Sequence, residues 1–166
     1  TVLWTLNDSP ETQANIALEL QSHGVDAGLV KFAGHELIWQ HLHRHALADL
    51  FLDNLEYNGG TTGLDALWAA VPILSAPREK FSARYGASFN RGAGLEALLT
   101  ARNGEDYRAL AIQLAARPGL LARVREALTE GKRRATLFDT PAFALRMETL
   151  LRMQWEVFSR APSSAA

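Results

Sequence analysis

Ala48-Asp49-Leu50-Phe51-Leu52-Asp53 runs on to Tyr57-Asn58-Gly59-Gly60-Thr61-Thr62-Gly63-Leu64-Asp65, and the fold turns on how this passage is read. Ala48 to Leu52 is a short apolar run that suits a strand, closed by Asp53. The glycine- and threonine-rich loop after it opens a helix carrying Leu64, Leu67 and Trp68. Val71 to Leu74, introduced by Pro72, reads as the next strand. Strand, loop, helix and strand in that order are the building unit of a parallel sheet.

Toward the N-terminus the alternation continues. Val2 to Leu6 is a strand. Ser9-Pro10-Glu11 is a helix start, with a capping hydroxyl, a proline in the first turn and an acid at the positive helix end. Ile16 and Leu20 give that helix a modest apolar face, and Gly24 ends it. Gly28 to Phe32 is a second strand, and His35 to Ala46 a helix with Ile38, Leu42 and Ala46 on one side. Right-handed crossovers and a sheet covered on both faces follow from short, continuously apolar strands of this kind.

Beyond Ser75 the period becomes helical: Tyr107, Leu110, Ala111 and Leu114 recur as on one helix face, as do Leu120, Leu121, Val124 and Leu128. Asn103 and Thr140-Pro141 look like N-caps of the flanking helices. A last helix, Pro141 to about Phe158, carries Phe143, Met147, Leu150, Leu151 and Trp155. With no internal repeat and no clear linker, we expect one α/β domain over 1–160 and a disordered tail over 161–166.

Of 166 residues, 17 are Lys or Arg and 18 Asp or Glu, so the net charge is -1, and 48% are hydrophobic. That balance argues against a broad nucleic-acid surface but leaves room for one focused phosphate site. The absence of cysteine excludes disulfides, thiolate nucleophiles and Cys-ligated zinc. No apolar run approaches the roughly 20 residues that span a bilayer. The start at Thr1-Val2-Leu3-Trp4, without an initiator methionine or the basic opening of a signal peptide, leads us to expect a piece of a longer cytosolic chain.

In open parallel sheets, ligands lie beyond the carboxyl ends of the strands. The sharpest candidate there is Gly59-Gly60-Thr61-Thr62 with Asp65. The glycines allow close backbone approach and positive φ. The threonine hydroxyls stand beside the unpaired amides of a helix start, which suits a phosphate or pyrophosphate. Asp65, one turn in, suits vicinal sugar hydroxyls. An ordinary loop with a threonine cap is the competing reading. His35, His41, His43 and His45 form a second cluster; His41 and His45, one turn apart, offer two metal nitrogens, but no third ligand is specified. Arg44 follows His41 on the same face as an anion- or base-contacting pair. Arg84 is a weaker candidate for the pocket, within a helix after Pro77. Lys132-Arg133-Arg134 reads as a solvated patch, and Trp4, Trp39, Trp68 and Trp155 as packing residues. No Ser-His-Asp order, paired carboxylates or P-loop lysine is present.

Leu47-Ala48-Asp49-Leu50-Phe51-Leu52-Asp53, Asn58-Gly59-Gly60-Thr61-Thr62-Gly63-Leu64-Asp65-Ala66-Leu67-Trp68-Ala69 and Val71-Pro72 resemble the O-GlcNAc transferase family, which also includes the SPINDLY-type enzymes of plants. The likeness extends to Trp4, Ser82-Ala83-Arg84, Leu137-Phe138-Asp139-Thr140 and Met153-Gln154-Trp155, and Asp65 favours the GlcNAc-transferring branch. The resemblance implies the C-terminal, Rossmann-like nucleotide-binding lobe of a GT-B glycosyltransferase, incomplete at its N-terminus. It implies a UDP-GlcNAc donor, transfer with inversion to Ser and Thr of intracellular proteins, no metal, and cytoplasmic or nucleocytoplasmic residence. Thr61 and Thr62 match the threonines that hold the pyrophosphate, Asp65 the acid on the ribose, and His41 and Arg44 a histidine and arginine of the uridine-side helix. Glu36 matches a position whose backbone meets uracil.

Three departures from the family pattern bear on the donor. The lysine beside the uridine is Ile38 here, the histidine before the paired threonines is Gly60, and Pro-Gly-Glu reads Pro77-Arg78-Glu79, where Arg78 brings a charge from a new direction. A related donor (GDP-fucose or UDP-glucose) and a degenerate, non-catalytic binding domain are the alternatives. The family's phosphate-contacting Gln and Lys, its other lobe and its acceptor-recruiting TPR repeats all precede the first strand. No catalytic residue is therefore expected within this chain, which alone is expected to be inactive.

Overall fold

In the computed structural model, which describes residues 2–5, 9–132 and 135–160, strands alternate with helices until Ser75, and helices dominate thereafter. Leu6, Arg133-Arg134 and the 161–166 tail of the readings above lie outside the described residues. The chain divides into two units, Thr1–Ala48 and Asp49–Ala166.

In the first unit, β1 (Val2–Thr5) pairs in parallel with β2 (Val30–Ala33), Val2 opposite Val30 and Thr5 opposite Ala33. The crossover is α1 (Pro10–Ser22). Ser9 caps it as expected, its hydroxyl accepting from the Thr12 amide at 3.3 Å. Gly24 ends the passage at φ 73, a left-handed conformation that glycine adopts without a Cβ penalty. The second strand starts later than the apolar run suggests. Asp26 accepts from the Gly28 amide at 2.9 Å and winds Ala27–Leu29 into a 3-10 turn. The next helix, α2 (Ile38–His45), also starts late: Leu37 is extended (φ -62, ψ 149) with its amide donating to Gln40 Oε1 at 3.3 Å, and the Gly34 carbonyl accepts from the Arg44 guanidinium at 2.9 Å. Its expected core residue Ile38 is exposed (62%).

The second unit holds the core. Its strands are β3 (Phe51–Leu52) and β4 (Ile73–Leu74), parallel, with α3 (Thr61–Trp68) as the crossover. Both strands are shorter than their apolar runs. Leu47 and Ala48 are held in a turn by the Arg44 and His45 carbonyls, which delays β3. At β4 the Val71 amide is used by the Ala66 carbonyl in capping α3, and Pro72 has no amide, so ladder pairing begins at Ile73. Residues 71–76 are nevertheless all buried, which suits a central strand, whereas Leu52 in β3 is exposed (53%). Burying Ile73 or Leu74 fully contributes about 1.5–3 kcal/mol each.

Past β4 a 3-10 turn (Phe81–Ala83) leads into α4 (Tyr85–Gly92), then α5 (Glu96–Leu99). A parallel bridge sets Ser75 beside Thr100. The fully buried Asn90 stitches these edges together, its Nδ2 donating to the Ile73 and Leu99 carbonyls at 3.0 Å each. Next come α6 (Gly104–Ala115), capped by Asn103 as expected, and α7 (Pro118–Gly131), which buries Leu121, Val124 and Leu128. The last helix, α8 (Thr140–Arg160), is capped by Asp139 rather than Thr140, the carboxylate accepting from the Ala142 amide at 3.0 Å. Tryptophan is less buried than its hydropathy suggests: Trp39, Trp68 and Trp155 are 55%, 48% and 67% exposed. Of these, Trp68 packs edge-on against Phe138, with Lys132 Nζ over its ring.

Candidate functional site

Asp53, directly after β3, anchors the glycine-rich loop. Its Oδ1 accepts from the Gly59 amide at 2.8 Å and its Oδ2 from the Ser75 hydroxyl at 2.9 Å. With only 3% of its surface exposed, its carboxyl is pushed above the ordinary carboxylate range by burial, against the opposing pull of those two donors. Tyr107 donates its hydroxyl to the Asp53 carbonyl at 2.9 Å, and burial, with the nearby Asp53 charge, raises that phenol to about 12.

Asn58 completes the frame. It is fully buried, donates from Nδ2 to the Asn54 carbonyl at 2.6 Å, and accepts the Gly86 amide at 3.1 Å through Oδ1. Its own amide donates to the Ser82 carbonyl at 2.9 Å. Gly86 has to be glycine: a Cβ there would lie 2.3 Å from Asp53 Oδ2 and 2.4 Å from Ser75 Oγ. A buried polar network with its hydrogen bonds made is rigid, so residues 53–59 are held between the end of β4 and the start of α4. Sequence reasoning missed Asn58, Ser75 and Gly86 as a set; the available signal was a strand-terminal aspartate followed by an asparagine ahead of paired glycines.

From this frame the chain enters α3 at Thr61. The residue in the capping position is Gly60, not a threonine, so no side chain caps the first turn from there. The amides of Thr61, Thr62 and Gly63 open the helix at its positive end. Thr61 is exposed, Thr62 half-buried, and Asp65 half-buried one turn further on. The structure thus brings Gly60, Thr61, Thr62 and Asp65 together at one helix end. The glycines act differently from expectation, since neither Gly59 nor Gly60 is among the positive-φ residues. Gly59 is closely packed, a Cβ there coming 3.0 Å from Phe51 Cζ and 3.3 Å from the Gly63 amide nitrogen, whereas a Cβ at Gly60 meets nothing nearer than Tyr85 Cδ2 at 4.0 Å.

The other predicted residues lie in the first unit, on or just before α2. Glu36 and Ile38 are exposed, as are His35 and His43, and His41 is half-buried. Arg44 spans two partners, donating to the Gly34 carbonyl at 2.9 Å and to His41 Nδ1 at 3.2 Å. Its Nε is buried without an acceptor among the described residues. His41 Nε2 lies 3.0 Å from His45 Nε2, the rings edge-to-face at 87°. The two nitrogens read above as metal donors therefore face each other. No group of three His, Asp or Glu suited to a metal occurs among the described residues.

A cleft of about 430 Å³ opens beyond the carboxyl ends of β3 and β4, lined in part by Leu55, Glu56, Ala76, Arg78, Arg102 and Asn103. Its charges are largely matched within the chain: Arg78 pairs with Glu56, and Arg102 with Asp106. Arg84 does not line it. Its guanidinium donates to the Arg78 and Glu79 carbonyls at 2.8 and 2.6 Å, bracing the loop after β4.

The sequence pattern of glycosyl transferase family 41 matches residues 1–147. The chain is 29% identical over 156 residues to a Caenorhabditis elegans UDP-N-acetylglucosamine–peptide N-acetylglucosaminyltransferase, covering 94% of this chain and 14% of that protein. It is 28% identical over 157 residues to the probable enzyme of this name designated SEC in Arabidopsis thaliana, covering 95% and 16%. An O-GlcNAc transferase of Thermobaculum terrenum, solved as its K341M mutant, superposes with a TM-score of 0.82 at 31% identity, over 89% of this chain and 28% of that one. The chain therefore spans about one-seventh of the length of those two curated relatives, and it takes the α/β fold of the matched part of the solved enzyme. No helix among the described residues is long and apolar enough to cross a membrane.

Proposed function

The chain belongs to glycosyl transferase family 41, and from that premise we propose that it is the donor-binding part of a protein O-GlcNAc transferase. The observation that carries this reading is the helix start at Gly60-Thr61-Thr62, uncapped by Gly60, with Asp65 one turn inside α3. The Thr61 and Thr62 amides and hydroxyls hold the pyrophosphate of UDP-GlcNAc. Asp65 accepts from the ribose hydroxyls, and its carboxylate sits one turn away from the phosphate oxygens that would repel it. His41 and Arg44 serve the uridine, with the Glu36 backbone at the uracil; Ile38 stands where the family has a lysine.

In this reading the acceptor hydroxyl of a protein Ser or Thr attacks the anomeric carbon from the face opposite UDP and gives its proton to a base outside this chain, so the configuration inverts. The bond to the diphosphate breaks as negative charge builds on the leaving phosphate. Fixed amide and hydroxyl donors that meet this charge lower the barrier without needing to reorganise, and no divalent ion is required of them. The chemistry needs residues beyond this chain, as the short coverage of the relatives supports. The other catalytic lobe, the acceptor-recruiting repeats and the remaining phosphate contacts belong to those regions, and the protein works in the cytoplasm or nucleus.

Titrating UDP into the intact protein tests this. Binding is expected to shift the amides of Gly60 to Gly63, and Asp65→Asn to weaken UDP by about tenfold, as for loss of one charge-assisted hydrogen bond. UDP that leaves these amides unmoved rules the reading out. The missing side chain at Gly60 and the apolar Ile38 favour one variation, a different nucleotide sugar in the same site. Parallel hydrolysis assays with UDP-GlcNAc, UDP-glucose and GDP-fucose separate the two.

A further inference from the structure

His41 is engaged at both ring nitrogens. Arg44 is a donor only, so its contact at 3.2 Å requires a lone pair on His41 Nδ1. The ring proton of neutral His41 then sits on Nε2, where it points across 3.0 Å to His45 Nε2. His45 must accept there, so its own proton is on Nδ1. The relay Arg44, His41, His45 is consistent in one arrangement of the two neutral rings. Its far end is well fixed: His45 is buried, and Arg44 is also tied to the Gly34 carbonyl.

We infer that His45 is a positioning residue for the nucleotide: it holds His41 as the Nε2–H tautomer and fixes the plane of its ring. This rests on the reading above that His41 serves the uridine. With its two nitrogens occupied within α2 and by Arg44, His41 meets a base with its ring and not with a nitrogen. His45 acts through His41 and does not itself touch the ligand. Tautomers are assigned by their hydrogen-bond partners, which makes the inference directly measurable.

The test uses the intact protein with 15N-labelled histidine, first without nucleotide. His41 is expected to show a protonated, pyrrole-type Nε2 and an unprotonated, pyridine-type Nδ1. His45→Phe keeps a ring but removes the acceptor, and is expected to mix the His41 tautomers and weaken UDP by about 3- to 10-fold. His45→Gln supplies a carbonyl acceptor in its place and is expected to restore a single His41 tautomer, with UDP affinity near that of the parent. A proton on Nδ1 in the parent protein overturns the inference, and needs no variant to fold. So does an unchanged His41 signal in His45→Phe, or a glutamine variant that behaves like the phenylalanine one. If the tautomer pattern holds but the parent protein does not bind UDP, the donor-site reading fails, and with it the role of the relay in nucleotide binding.

Discussion

Burial removes nearly all water from Asp53, and the Gly59 amide and Ser75 hydroxyl compensate only in part, so its carboxyl stays above the ordinary range. The folded protein thus holds this proton more tightly than the unfolded chain does, and ionisation works against folding. The stability linked to Asp53 is fully present below the unfolded carboxylate pKa of about 3.9 and is lost as pH rises through the higher native value. Asp53→Asn does not ionise: its amide oxygen can still accept from Gly59, and its NH2 can donate to Ser75. Relative to that variant, the parent protein is expected to lose stability from about pH 4 upward and then level off. Urea unfolding of both proteins at several pH values checks this, and a gap that moves the other way shows the carboxyl to be depressed. Tyr107, raised to about 12, keeps its proton throughout that window.

The C-terminal end of α3 shows why one strand is shorter than its apolar run. Ala70 adopts φ 60, and the Val71 amide closes back onto the Ala66 carbonyl at 2.8 Å. This is the left-handed helix ending that usually carries glycine. An L-residue there costs about 1–2 kcal/mol, of which roughly 0.5–1 is offset because alanine has less freedom than glycine to lose on folding. Ala70→Gly is therefore expected to stabilise the protein by about 0.5–1 kcal/mol, seen as a higher urea midpoint with unchanged slope. A lower midpoint would contradict the left-handed ending. Helix starts were legible where a single side chain makes the cap, as at Ser9 and Asn103. At α8 the start is where expected but the capping side chain is the neighbouring Asp139, not Thr140, and at α3 Gly60 takes the capping position in place of the threonine of the competing reading.

Across the molecule, burial is unevenly spread. Val71, Ile73 and Leu74 are completely buried, whereas α1 and α8 bury no residue. Local opening costs least where few apolar contacts must break. In the 166-residue chain, amide hydrogen exchange is accordingly expected to be slowest at Ile73–Ala76 and faster by about a hundredfold or more in α1 and α8, about 3 kcal/mol of local stability. Equal protection in α8 and β4 would refute the assignment of the core to β4 and the helices that cover it. The exposed Phe143, Leu150, Leu151, Trp155 and Phe158 of α8 illustrate the limit of periodicity: it identifies a helix with an apolar face but not what covers that face.

Local chemistry, which a linear string carries in full, was enough for the α/β alternation, the caps at Ser9 and Asn103, the turn at Gly24, and the pairing of threonines with an aspartate one helical turn on. Each depends on neighbours within about one turn of the chain. Other features needed the folded chain because their partners are far apart in sequence: Asp53 with Ser75, Asn58 with Gly86, Tyr107 with the Asp53 carbonyl. Strand length belongs with them, since whether an apolar residue joins a ladder depends on whether its amide is still available, and at Val71 it was already taken.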